Sequence, residues 1–109
     1  MSNLKAKINT INKQIKNSIA SSKKVDKETI REVRNICLEI IEMAESGKIS
    51  LKETDHLFGG LFNYADFLPK ELEDIIFEGG KLELPESALG KNPLKLLKEI
   101  KKKLINLKI

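Results

Sequence analysis

Apolar residues recur at intervals of three and four along most of this chain, which is the spacing of an amphipathic helix. A first helix is predicted over about residues 3–20, with a polar face of lysine, asparagine and glutamine. Its apolar stripe consists of Leu4, Ile8, Ile11, Ile15 and Ile19. A polar connector at residues 21–24 follows it.

A second helix, the most apolar of the chain, is predicted between Asp26 and Gly47. Asp26 is a suitable N-cap, and Gly47 can adopt the left-handed conformation with which many helices end. The stripe is Ile30, Val33, Cys37, Ile40 and Ala44, widened by Ile36, Leu38, Ile41 and Met43. Such a wide apolar surface predicts a central position in the fold.

Ser50 and Glu53 have the spacing of a capping box, so a third helix is predicted to begin there and to run toward Leu68. Gly59-Gly60 should interrupt it, at a kink or where another backbone comes close. Pro69 then favours the start of a short helix over residues 69–78.

Gly79-Gly80 should stop the short helix, and residues 81–90 are predicted to be a loop with at most one helical turn. Asn92-Pro93 begins a last helix with the stripe Leu97, Ile100, Leu104 and Leu107. No strand pattern or internal repeat accompanies these helices. The 109 residues therefore predict one all-α domain, an antiparallel bundle of four main helices plus a short helix, with residues 1–25 as a basic N-terminal helix.

Charge divides the chain into three parts, although the net charge is only +4. Residues 1–36 have nine Lys/Arg and three acids, residues 37–90 have four and twelve, and residues 91–109 have seven and one. This separation of basic ends from an acidic middle indicates that the chain binds a charged partner. The lysine-rich N-terminus lacks a secretory signal pattern, and no stretch is apolar enough to span a membrane, so a cytoplasmic location is expected.

Few residues could support catalysis. His56 is the only histidine, and the only cysteine, Cys37, falls on the apolar stripe of the second helix. The two glycine pairs lack the spacing of phosphate-binding loops. We therefore expect no enzyme activity, no metal, no cofactor and no small-molecule substrate.

All five aromatic residues lie between residues 58 and 77, among many acids. Helical spacing assigns Phe58, Leu61 and Phe62 to the core, while Ala65 and Leu68 take the next inward positions. At least one ring of Tyr64 and Phe67 should then face outward, next to carboxylates. The acids concerned are Asp66, Glu71, Glu73 and Asp74. An exposed ring surrounded by carboxylates is suited to anchor a basic protein partner.

Three segments, at residues 36–55, 61–69 and 94–104, carry a resemblance to a known family. The matching positions are Gly47-Lys48-Ile49-Ser50, Leu61-Phe62, Ala65, Asp66, Phe67 and Pro69, with acids after the proline. With these segments in this order along the sequence, the chain resembles the colicin D immunity protein family and the immunity proteins of contact-dependent inhibition systems. The resemblance covers about residues 30–105.

The resemblance implies a small helical bundle that binds one cognate toxin, a ribonuclease directed against tRNA. It also implies that carboxylates take the place of the RNA backbone in the toxin's basic cleft. The toxin-binding residues expected here are Tyr64, Asp66, Phe67, Glu71, Glu73 and Asp74.

Two alternatives use the basic ends of the chain. The terminal helices could bind nucleic acid, although no aromatic residue accompanies their lysines to stack on bases. The cationic last helix could instead place a bacteriocin immunity protein on an anionic membrane surface. The residues favour a protein partner over both.

Overall fold

The computed structural model describes residues 4–64, 67–76 and 93–107, and these residues form five helices. The helices are α1 (Leu4–Ala20), α2 (Lys27–Glu45), α3 (Leu51–Leu61), α4 (Lys70–Ile76) and α5 (Pro93–Asn106). The described part of the chain contains no strand. The predicted all-α class is confirmed, whereas the antiparallel order of the four main helices stays a prediction.

The caps of α2 and α3 are those that the sequence predicts. Asp26 Oδ1 accepts a hydrogen bond of 2.8 Å from the Thr29 amide, and Ser50 Oγ accepts one of 3.0 Å from the Glu53 amide. Each bond satisfies an amide that the first turn of a helix leaves without an internal partner. Residues with short polar side chains therefore determine where both helices begin.

α1 and α2 end in the same way, although their sequences differ. Ser22 has a φ of 56° and Gly47 a φ of 75°, and each lies in the left-handed region. In each case the next amide closes the turn, with Lys23 N–H donating to Ser18 O at 2.8 Å and Lys48 N–H to Met43 O at 2.9 Å. Both ends are Schellman motifs, one with the usual glycine and one with a serine in its place.

The third helix is shorter than predicted. It continues through Gly59-Gly60 without interruption and ends at Leu61, where the Phe62 amide donates to the Phe58 carbonyl at 3.1 Å. It does not reach Leu68. The prediction placed a kink or a close backbone at the glycines, but a side chain approaches instead, because Asn12 Nδ2 donates to Gly60 O at 2.9 Å.

The core lies around α2, which packs against α1, α3 and α5. Its buried members are Leu4, Ile8, Ile11, Ile15, Val33, Ile36, Cys37, Ile40, Ile41, Ala44, Leu57, Phe58, Leu61, Phe62, Leu68, Leu72, Leu97, Ile100 and Leu104. Two polar contacts join α5 and the residue after it to α2. Lys101 Nζ lies 3.4 Å from Glu45 Oε1, and Arg34 Nη1 donates to the carbonyl of Leu107, just beyond α5, at 3.4 Å. α4 packs against α5.

The predicted short helix after Pro69 is present as α4. The predicted stop at Gly79-Gly80, the loop over residues 81–90 and the cap at Asn92 lie outside the described residues. Among the described residues no helix has the length and apolar character needed to cross a bilayer.

The two Schellman motifs predict opposite effects of exchanging serine and glycine. Ser22→Gly should raise the free energy of unfolding by about 0.5 kcal/mol. Glycine removes the steric cost of a side chain at positive φ, and this gain exceeds the entropy that glycine adds to the unfolded chain. Gly47→Ser should lower it by about 0.5–1 kcal/mol for the reverse reason. Urea denaturation measures both. A lower free energy of unfolding in Ser22→Gly would contradict the left-handed conformation of Ser22.

A second pair of variants separates helix propensity from turn geometry. A β-carbon added at Gly59 would meet no atom within 4 Å, so Gly59→Ala should stabilise the protein by about 0.5–1 kcal/mol through better helix propensity. Gly47→Ala is the control, since open space also surrounds its β-carbon but its positive φ should make the change destabilising. Equal shifts of Tm in the two variants would contradict this reading.

Candidate functional site

The candidate site begins at the turn that follows α3. The chain turns at Phe62–Tyr64, and the Phe67 amide donates to the Tyr64 carbonyl at 3.0 Å. Leu68 is buried, and Pro69 accepts a hydrogen bond of 3.1 Å from the Leu72 amide in the first turn of α4. Leu68 before the proline and Leu72 after it are both buried, and they hold the segment against the core.

Phe67 is the outward-facing ring. Its exposed fraction is 53%, whereas Phe58 and Phe62 are buried at 0% and 3%. Tyr64 is half-buried and packs against the core. The prediction that at least one ring of Tyr64 and Phe67 faces outward is confirmed for Phe67. Tyr64 contributes mainly to packing.

Two of the predicted acids are exposed on α4, which begins three residues after Phe67. Leu68, Leu72 and Ile75 face the core, at intervals of four and three. Phe67, Glu71 and Asp74 each precede one of these residues by one position, and all three are exposed. Glu71 and Asp74, three residues apart, share one side of α4, and Phe67 lies four positions before Glu71. We call these three residues the Phe67 surface.

The structure does not describe the side chains of the other two predicted acids, Asp66 and Glu73. Asp66 lies outside the described residues. Glu73 belongs to α4, but its side chain is not among those described. The Phe67 surface thus contains one ring and two carboxylates, and the exposed Lys70 lies between Phe67 and Glu71 in the sequence.

Neither of the two residues considered for catalysis is in a reactive setting. Cys37 is completely buried among apolar residues, and this burial raises the pKa of its thiol far above the usual range. His56 is exposed in a shallow depression beside Glu53 and Asp55. No cluster of three potential metal-binding side chains occurs among the described residues.

Sequence reasoning missed an acidic stripe on α2. The stripe begins with Glu28 and Glu32 in the first turns of the helix, and their spacing continues along it. Glu28, Glu32, Glu39 and Glu42 follow one another at intervals of four, seven and three, so they share one side of α2. That periodicity was readable in the sequence, and we call these residues the α2 stripe.

Comparison with known proteins does not assign a family. No family model, no curated protein sequence and no solved structure matches this chain. The resemblance to colicin D immunity proteins therefore remains a prediction from residues 30–105.

The burial of Cys37 predicts a protected thiol. Native protein should react with a thiol reagent at least about a thousandfold more slowly than urea-unfolded protein, because exposure of a core side chain requires opening worth about 5 kcal/mol. The rate of reaction with a chromogenic disulfide at constant pH gives the ratio. Fast labelling of the folded protein would restore Cys37 as a candidate nucleophile.

Proposed function

We propose that this chain is an immunity protein that binds a cognate nuclease toxin, most simply a tRNA-cleaving ribonuclease, and covers its basic active cleft. The exposure of Phe67 just before α4, the helix that carries two exposed carboxylates, is the observation that carries the proposal. No turnover is involved. The protein acts in the cytoplasm as one antiparallel helical domain, and it inhibits by occupying the site that RNA would enter.

The electrostatic part of the proposal follows from what a nuclease must bind. A nuclease cleft holds phosphates with lysine and arginine, so carboxylates on an inhibitor can take the place of the phosphates. Glu71 and Asp74 supply exposed negative charge on α4. Complementary charge of this kind raises association rates, up to about 10⁸–10⁹ M⁻¹s⁻¹ at low salt.

The apolar part of the proposal concerns the lifetime of the complex. Phe67 leaves about half of its surface in water in the free protein. Burying an aromatic ring at the centre of an interface slows dissociation, and such rings are among the commonest binding hot spots. Leu68 and Leu72, both buried, hold the backbone that follows the ring, so the ring is presented next to a packed segment.

The two alternatives have less support. The nucleic-acid alternative would use lysines of α1 and α5, and the membrane alternative would use those of α5. Neither helix contains an aromatic residue that could stack on a base or insert at a membrane interface. The only exposed ring among the described residues is Phe67, in the acidic part of the chain. This distribution favours a basic protein as the partner.

The test uses the purified chain and the product of the adjacent gene, which we expect to contain the nuclease domain. Equimolar chain should suppress tRNA cleavage. Phe67→Ser should raise the Kd by about 10- to 100-fold through faster dissociation, since a lost aromatic hot spot is worth roughly 1.5–3 kcal/mol. Glu71→Lys with Asp74→Lys should slow association and reduce its salt dependence. Stopped-flow binding separates the two rates.

Ile105→Ser is the matched control. Ile105 is exposed to a similar degree, 60%, but it lies on the lysine-rich helix α5, so its replacement should leave inhibition unchanged. Undiminished tRNA cleavage in the presence of excess chain would overturn the proposed function. Inhibition that survives Phe67→Ser with an unchanged Kd would overturn the Phe67 surface only.

A further inference from the structure

A groove of about 1020 Å³ runs between α1 and α2. Ile11 of α1 and Ile36 of α2 line it and are almost fully buried, so they form its floor. Uncharged polar residues of α1, including Thr10, Gln14 and Asn17, form one wall. The groove does not include the Phe67 surface.

The other wall of the groove is acidic. Asp26, Glu28 and Glu32 line it, and the hydrogen bonds from Thr29 hold the pKa of Asp26 below its usual range, so this carboxylate is charged at neutral pH. Lys7 is the only basic residue among the lining residues described. Its Nζ lies 2.9 Å from Glu39, so its charge is already paired. The groove therefore has a net negative charge.

The α2 stripe extends this acidic wall along the helix. Like charges at intervals of three or four destabilise a helix, by about 0.2–0.5 kcal/mol per pair. Glu28 and Glu32 form one such pair, and Glu39 and Glu42 form another. Within the described part of the chain, only Glu39 of these four has an ion-pair partner.

α5 has a surface that complements the groove in both charge and polarity. Leu97, Ile100 and Leu104 face the core, which leaves Lys98, Lys102 and Ile105 on an exposed side at intervals of four and three. Ile105 has the largest exposed fraction, 60%, among the exposed large hydrophobic residues described. Two cations and an apolar side chain thus share one stripe, which we call the α5 stripe.

We propose that the α1–α2 groove of one molecule binds the α5 stripe of a second copy of this chain. Lys98 and Lys102 would lie against Glu28 and Glu32, and Ile105 would lie over the floor of Ile11 and Ile36. α2 and α5 already make a contact of this type within one molecule, where Lys101 Nζ lies 3.4 Å from Glu45.

The geometry of this contact determines the form of the assembly. α5 packs on α2 through Arg34 and Glu45, which lie on a different side of the helix from Glu28 and Glu32. One molecule therefore presents its groove and its α5 stripe as two separate surfaces. A contact between two different surfaces is heterologous and does not close by twofold symmetry, so association should continue beyond a dimer as concentration rises.

The experiment is sedimentation velocity of the full chain over a range of concentrations. The wild-type sedimentation coefficient should increase with concentration at low salt, and the increase should weaken when salt shortens the screening length from about 30 Å to about 8 Å. The double variants Glu28→Lys/Glu32→Lys and Lys98→Glu/Lys102→Glu should each associate at least about tenfold more weakly, because like charges then oppose each other.

Mixing the two variants provides the decisive arm. The basic groove of the first variant complements the acidic α5 stripe of the second, and the unchanged α5 stripe of the first complements the unchanged groove of the second. The mixture should therefore associate, with equal numbers of the two variants in the assembly, although each variant alone associates only weakly. Lys5→Glu/Lys16→Glu is the matched control, since it changes net charge by the same amount at exposed residues of α1 that do not line the groove. Its association should at least equal that of the wild type.

Three results would overturn the proposal. If the wild-type protein stays monomeric at every concentration at low salt, a second copy does not bind in its groove. Association that survives both charge reversals uses other surfaces. Variants that fail to form a complex when mixed show that the groove and the α5 stripe do not bind each other. None of these results depends on the nuclease assay.

Discussion

The fold depends on the burial of α2 between three other helices. α1, α3 and α5 all pack against it, and six of its side chains, from Val33 to Ala44, are buried. Removing apolar surface from water is worth roughly 25 cal/mol per Å², so this central helix contributes much of the free energy that offsets chain ordering. The charged side chains of α2 are therefore restricted to the sides that its neighbours leave open.

The surfaces available for function are a consequence of that restriction. α2 presents carboxylates beside α1 and presents Arg34 and Glu45 to α5. α5 buries one stripe and leaves lysines and Ile105 in water. α4, which packs on α5, orients Glu71 and Asp74 outward by burying Leu72. The protein consequently separates acidic and basic surfaces although its net charge is small.

Two acidic surfaces have different physical characters and different proposed partners. The Phe67 surface has an exposed aromatic ring, which can supply binding energy at the centre of an interface. The α1–α2 groove has an apolar floor that is almost completely buried, so its carboxylates and its shape are the main features that a partner would recognise. A basic toxin cleft suits the first surface, and a lysine-bearing helix suits the second.

The sequence by itself determined the helical class, the caps of α2 and α3 and most of the described core, because periodicity and capping act over a few neighbouring residues. It also predicted that Tyr64 or Phe67 would be exposed. Tertiary structure decided which ring that was, where α3 ends, and that Ser22 takes the left-handed position usually held by glycine. It also decided that the α2 stripe borders a groove. These outcomes depend on how separate helices pack, and the spacing within one helix carries no information about its neighbour.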